Sequence, residues 1–194
     1  MTDQAVRRRT GGRSARVRQA VLDAALQALA EHGPDGVSVA EIARQAGVHE
    51  TSIYRRWSTR EQLVMDALLA YSQRELPVPD TGTLREDLLT FLGSVATYLD
   101  SPLGKALARA MAASDDDETL AASRAGFWES RFELARVMID RAMDRGELPR
   151  DTDPMLVLEL LIAPLHFRAL LTRQPLDDDH AERVVDALLR GKTH

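Results

Sequence analysis

Apolar residues recur at intervals of three and four along almost the whole chain and rarely alternate, so helices are expected from end to end. A first helix is read over about Ser14 to Glu31, with Val17, Ala20, Val21, Ala24, Ala25 and Ala28 on one stripe; Gly33 and Pro34 stop it. Ser38-Val39-Ala40-Glu41 has the form of a capping box, with Val37 and Ile42 as the hydrophobic staple around it. That second helix carries Val39, Ile42, Ala43 and Ala46 on one face and ends at Gly47. A third is expected from about Glu50 to Trp57 and a fourth from near Thr59 to Arg74. The prolines and glycine of residues 76–82 make a loop, after which Thr83-Leu84-Arg85-Glu86 forms a second capping box and opens a helix bearing Leu84, Leu88, Phe91, Leu92 and Val95.

Ser101-Pro102 starts a sixth helix. A long seventh runs from about Glu118 to Arg145 with Trp128, Phe132, Ala135, Met138, Ile139 and Ala142 inward, closed by Gly146. The acidic run Asp115-Asp116-Asp117-Glu118 is read as a solvated loop and first turn that complements the helix dipole. Asp153-Pro154 opens an eighth helix, apolar on nearly every side through Leu171, and a last amphipathic helix with Val184, Val185, Leu188 and Leu189 follows Asp177 to Asp179. The expected fold is therefore all-α, with about nine helices in two groups.

Composition changes this picture little, because 44% hydrophobic and 28% charged residues are ordinary for a folded protein. The absence of cysteine removes disulfides and thiolate metal sites. The arginine-rich start has no apolar core of a secretory signal, and Met155 to Leu171, interrupted by Glu159, Pro164, His166 and Arg168, is read as too short and too polar to span a bilayer. A soluble, cytoplasmic protein without membrane association is expected.

Charge adds more. Ten arginines against six acids give residues 1–60 a net +4, so the remaining 134 carry −9 of the total −5. A basic head on an acidic body suits a chain that meets phosphate at one end only. No catalytic arrangement stands out: the five histidines (His32, His49, His166, His180, His194) are scattered, and there is no His-Glu-x-x-His or glycine-rich phosphate loop. The chain is not expected to be an enzyme, nor to hold a metal or cofactor.

A helix ending at Gly47, a turn of about three residues and a second short helix form the geometry of a DNA-reading pair. Ala43 permits close approach of the helices, Gly47 makes the turn, and Val48 and Ile53 are the apolar anchors. The segment 36–57, GVSVAEIARQAGVHETSIYRRW, is more specific. Its I-A-x-x-A-G-V core, Tyr54 after Ile53, Trp57 three residues on and Arg60 beyond resemble the DNA-binding segment of TetR-family transcriptional regulators, over about Val17 to Leu69. His49 departs from the pattern, standing where members have a small hydroxyl residue. Residues 141–148, RAMDRGEL, with Asp153-Pro154 and Ala163-Pro164-Leu165-His166-Phe167-Arg168, resemble one C-terminal variety of that family.

The resemblance implies a homodimer on a near-palindromic double-stranded DNA operator, most simply a repressor released by an unidentified small-molecule ligand. It implies a DNA-binding domain over 1–60, with its N-terminal arm, and a ligand-binding and dimerisation domain over 61–194. Glu50, Thr51 and Arg55 occupy the face where the family places base contacts; Arg55 suits guanine and Glu50 a cytosine amino group. Tyr54 and Arg60 fall at phosphate-contact positions, with Ser52, Arg56 and Arg44 beside them, and Arg13 with Arg7 to Arg9 resembles a DNA-contacting arm. Candidate pocket residues are Phe91, Tyr98, Met111, Trp128, Phe132 and His166; candidate dimer residues are Leu161, Leu165, Val184, Val185 and Leu188. A ligand-independent DNA-binding protein and a helical-bundle ligand-binding protein or enzyme remain open alternatives.

Overall fold

A computed structural model describes residues 11–33, 36–112 and 118–191, and among them all regular structure is helical. The chain divides into two compact units, residues 1–67 and 68–194, with the division inside the fourth helix rather than at residue 60.

The first unit holds α1 (Gly11–His32), α2 (Val39–Ala46), α3 (Glu50–Tyr54) and the first half of α4 (Arg60–Glu75). Its core starts later than the stripe on α1 suggested. Val17 and Ala20 are exposed, and burial begins at Val21 and Leu22 and continues through Leu29. Leu22, Ile42, Ile53 and Leu63, one from each helix, are fully buried. Gly33 ends α1 with φ of 72°, a left-handed conformation that glycine adopts without strain.

Ser38 occupies the N-cap of α2 but makes no side-chain cap bond, and Glu41 is drawn instead to Arg44 at 3.1 Å. The expected capping box is therefore not formed. The staple residues Val37 and Ile42 are both buried, so burial rather than capping fixes this helix start. Thr59 does cap α4: its Oγ1 accepts from the Gln62 amide at 3.1 Å, while Gln62 Oε1 accepts from the Ser58 amide at 2.9 Å.

The second unit adds α5 (Leu84–Asp100), α6 (Pro102–Ala112), α7 (Glu118–Asp144), α8 (Pro154–Phe167) and α9 (Asp178–Arg190). Helix α5 is central and touches α6, α7, α8 and α9. Thr83 caps it, accepting from the Glu86 amide at 3.3 Å, which is the threonine half of the second capping box. Asp153 caps α8 and Asp177 caps α9. Helix α8 gives way at Arg168 to a wider π-helical turn through Thr172. Pro154–Thr172 is 19 residues long, enough by length and composition alone to cross a bilayer. Here Leu158, Leu161, Ile162 and Leu165 are committed to the unit's core. Of the acidic run, Asp115 to Asp117 lie outside the described residues and Glu118 opens α7.

The RGEL segment ties down the loop before α5. Glu147 Oε2 accepts from the Leu84 amide at 2.7 Å, and Arg141 reaches the Pro79 carbonyl and, at 2.6 Å, the Asp80 carboxylate. Buried Asp87 accepts from the Thr81 amide at 2.7 Å and hydroxyl at 2.8 Å.

The corner between α5 and α6 is closed by Ser101, whose hydroxyl donates to the Tyr98 carbonyl at 2.6 Å and accepts from the Gly104 amide at 3.0 Å. A Cβ on Gly104 would stand 1.9 Å from the Tyr98 carbonyl oxygen. Gly104→Ala is therefore expected to destabilise by about 1–3 kcal/mol, the usual cost of forcing atoms into a packed site. Gly93→Ala, where a Cβ meets nothing within 4 Å, is expected to be neutral or stabilising. Thermal unfolding of the two variants checks the contrast.

Candidate functional site

In the first unit, α2 ends in a Schellman turn: Gly47, at φ 66°, donates to Arg44 O at 3.3 Å, and Val48 donates to Ala43 O at 2.9 Å. Three residues on, α3 starts after His49, which supplies no side-chain cap. The family position of His49 is thus filled without the hydroxyl cap usual there. Helix α3 is shorter than the expected Glu50–Trp57, but Trp57 N still donates to Ile53 O at 2.9 Å, so helical bonding runs on past Tyr54.

Two anchors hold α3 from below. Ile53 is fully buried, and buried Trp57 donates its indole N–H to Asp66 Oδ2 at 2.9 Å. The same carboxylate oxygen receives Arg18 of α1 at 2.9 Å, so one acid on α4 joins α1 to the end of the recognition segment. With the anchors turned inward, Glu50, Thr51, Tyr54, Arg55 and Arg56 are exposed and Ser52 is half-buried. Tyr54 is half exposed, so it is not a core tyrosine.

The cations differ in their surroundings. Arg55 is exposed, with no ion-pair partner among the described residues. Arg56 lies over the Trp57 ring at 5.7 Å, Arg60 pairs with Glu61 at 3.0 Å, and Arg44 pairs with Glu41. These exposed pairs are weak and easily exchanged for phosphate. Arg7, Arg8 and Arg9 and the side chain of Arg13 lie outside the described residues.

The second unit holds a partly open cavity of about 270 Å³. Phe91, Tyr98, Trp128, Phe132 and His166 all line it; Met111 is a residue of α6 whose side chain lies outside the description. Trp128 meets the His166 ring edge-on at 5.4 Å and the Phe132 ring at 5.7 Å. Burial pushes the His166 imidazole toward its neutral form, with Nδ1 at 3.0 Å from the Ile162 carbonyl. Sequence reasoning missed Arg131, which lines the cavity and is itself buried. A signal was available, since Arg131 falls on the inward stripe of α7 between Trp128 and Ala135.

The expected dimer residues fare unevenly. Leu161, Leu165 and Val185 are fully buried in the core of their own unit; Val184 and Leu188 are half-buried. The apolar residues left exposed on α8 and its π-helical continuation are Leu156, Leu160, Phe167 and Leu171, with Leu134 and Val137 exposed on α7.

A buried-anchor helix pair with a polar outer face, joined in one chain to a cavity-bearing helical body, defines the class of helix-turn-helix regulators. Residues 21–67 match the family described as bacterial regulatory proteins, tetR family, and residues 78–188 match the tetracyclin repressor-like C-terminal domain. The chain is 37% identical over 179 residues to the HTH-type transcriptional regulator AqdR of Rhodococcus erythropolis, covering 92% of this chain and 86% of that one. It is also 37% identical to a DNA-binding transcriptional repressor TetR of Mycobacteroides abscessus, covering 88% of this chain and 90% of that one. Among solved structures, the TetR family transcription regulator SCO0332 superposes with a TM-score of 0.81 at 28% identity, covering 90% of this chain and 97% of that one. The transcriptional regulator FadR of Bacillus subtilis, solved with stearoyl-CoA, shares the fold at a TM-score of 0.65 and 17% identity, covering 89% and 98%. The chain belongs to the TetR family and is a DNA-binding helix-turn-helix transcriptional regulator.

Proposed function

We propose that the protein is a homodimeric repressor that holds a near-palindromic operator and releases it when a small apolar or amphipathic molecule enters the cavity. The observation that carries this reading is the pairing of two features in one chain. One is an exposed, arginine-bearing recognition helix, and the other a mostly apolar cavity in the second unit. The repressor sign is supported by the name of the M. abscessus relative, and ligand response by the FadR complex with stearoyl-CoA. Ligand acts by favouring a separation of the two recognition helices that no longer matches successive major grooves.

The apolar residues exposed on α8 support the dimer. Leu156, Leu160, Phe167 and Leu171 recur at helical spacing on one face, and a stripe of that kind needs a cover. A second copy of the same face covers it with two-fold symmetry. The interface therefore shifts from Leu161, Leu165 and Val185 to these four, with Val184 and Leu188 at its margin.

Within the head, Tyr54, Arg56, Arg60 and Arg44 serve phosphates while Arg55, Glu50 and Thr51 face base edges, with Ser52 between. Arg55→Ala is expected to cost about 1–3 kcal/mol per half-site and to relax preference at one base position. Arg60→Ala is expected to weaken all sequences about equally and to flatten the salt dependence by about one unit of slope per half-site. Uniform weakening by both variants would make Arg55 a phosphate contact. Selection of bound DNA from a random pool tests the whole reading. Enriched sequences are expected to contain an inverted repeat with half-sites about one helical turn apart or a multiple of that. A reporter placed behind that site is expected to be silenced by the protein; activation would reverse the sign.

A further inference from the structure

The polar groups around the cavity in the second unit are few, and most are already committed. Ser72 donates to the Leu69 carbonyl at 2.9 Å, and His166 holds the Ile162 carbonyl through Nδ1. Two are not committed. Arg131 is only 6% exposed and has no carboxylate within ion-pair distance among the described residues. Tyr98 is 7% exposed, and its hydroxyl is buried without a hydrogen-bond partner. Glu75, the acid whose charge Tyr98 feels, is engaged with Arg74 at 3.2 Å.

A guanidinium taken out of water without an anion is among the costliest arrangements a protein can hold. A buried arginine whose role was structural would be expected to have a carboxylate or carbonyls closing on it. Both residues line the cavity. We infer that the cavity takes a small organic monocarboxylate, its acid group bound by the Arg131 guanidinium and the Tyr98 hydroxyl and its apolar body lying against Phe91, Phe127, Trp128 and Leu158. A planar fork of N–H donors and a phenolic O–H are a complementary set for two carboxylate oxygens.

Charge and size narrow the class. His166 is pushed toward neutrality by burial, so the cavity presents one positive charge, which matches a monoanion rather than a diacid. Burial also draws the Arg131 guanidinium downward from its ordinary range, a penalty that an anion would relieve. The volume of about 270 Å³ admits about ten non-hydrogen atoms, taking ~30 Å³ for each water-sized group. Benzoate and octanoate have this size.

This assignment rests on the ligand-responsive reading, and the test separates the two. In the full-length protein, Trp57→Phe leaves Trp128, at the cavity wall, as the sole tryptophan reporter. Octanoate and benzoate are titrated against octan-1-ol and benzyl alcohol by its fluorescence. The acids are expected to bind at least about tenfold more tightly than the alcohols, the scale of a charge-assisted bond. Arg131→Met is expected to abolish that preference while the ligand-free protein melts no lower than its Trp57→Phe parent, because an unpaired buried charge has been replaced by a well-fitting apolar chain. Alcohols binding as tightly as acids, no binding of any of the four, or a lower melting temperature for Arg131→Met overturns the inference. Failure of the ligand-responsive reading looks different: octanoate binds through Arg131, yet operator affinity is unchanged.

Discussion

Replacing Leu160 with arginine is expected to leave the subunit folded, convert dimers to monomers and weaken operator binding at least about a hundredfold. Leu160 is 53% exposed in the single chain, so the new charge meets no core and its cost falls on the partner surface alone. The loss in DNA binding is large because two linked half-sites gain ~10²–10⁴ in avidity over one, more than any single phosphate contact supplies. Phe167→Arg, on the same exposed stripe, is expected to behave alike. Leu161→Arg provides the contrast: it places a charge at a fully buried position and is expected to unfold the unit. Sedimentation at micromolar concentration decides the matter. A wild-type monomer contradicts the dimer, and dimers that survive both exposed-face substitutions place the interface elsewhere.

The second large effect is expected at Ile53. This side chain is 1% exposed and anchors a recognition helix of only five residues, which is too short to be stable without its tertiary contacts. Ile53→Ala is expected to cost about 2–4 kcal/mol, combining lost burial with an unfilled cavity. A 67-residue unit has a margin of only about 3–10 kcal/mol, at ~0.05–0.15 kcal/mol per residue. DNA binding is expected to fall by tenfold or more. Thr51→Ala, on the exposed face, is expected to leave stability within about 0.5 kcal/mol of wild type. Denaturant unfolding together with DNA titration separates the two: equal stability of both variants would contradict the anchoring role.

Most of this architecture was legible because helix starts and stops are written in side-chain chemistry. Asp153-Pro154, Thr83 and Gly47 each do locally what their residue types predict. Ser38 shows the limit of that logic. It stands at the predicted N-cap without using its hydroxyl, because burial of Val37 and Ile42 already fixes the helix start and Glu41 is taken by Arg44. The buried stripe of α1 was read too early for a related reason: its first turns carry Val17 and Ala20 at the right spacing, but the unit's core begins only at Val21.

Two features of the candidate sites were not legible in the sequence, each for a physical reason. Helix α8 is apolar all round, so its pattern states that it is covered but not by what on each side. Leu158, Leu161, Ile162 and Leu165 face the core, while Leu156, Leu160 and Phe167 face out, and only the tertiary arrangement separates them. Arg131 was overlooked because a charged residue on a long helix is ordinarily solvated. Its place on an inward stripe marked it as unusual, but the cavity that explains it is assembled from α4, α5, α6, α7, α8 and the π-helical turn together.

The central claim is that Arg56, Arg60 and their neighbours meet phosphate, twice over in a dimer, through a head carrying +4 on a chain of net −5. Affinity for the selected operator, measured by fluorescence anisotropy across a range of salt concentrations, tests it most directly. Each neutralised phosphate contributes about −0.9 to the slope of log affinity against log salt, so two to four cationic contacts per half-site predict a slope of roughly −4 to −7. A slope near zero, or no binding at low salt, would contradict the account.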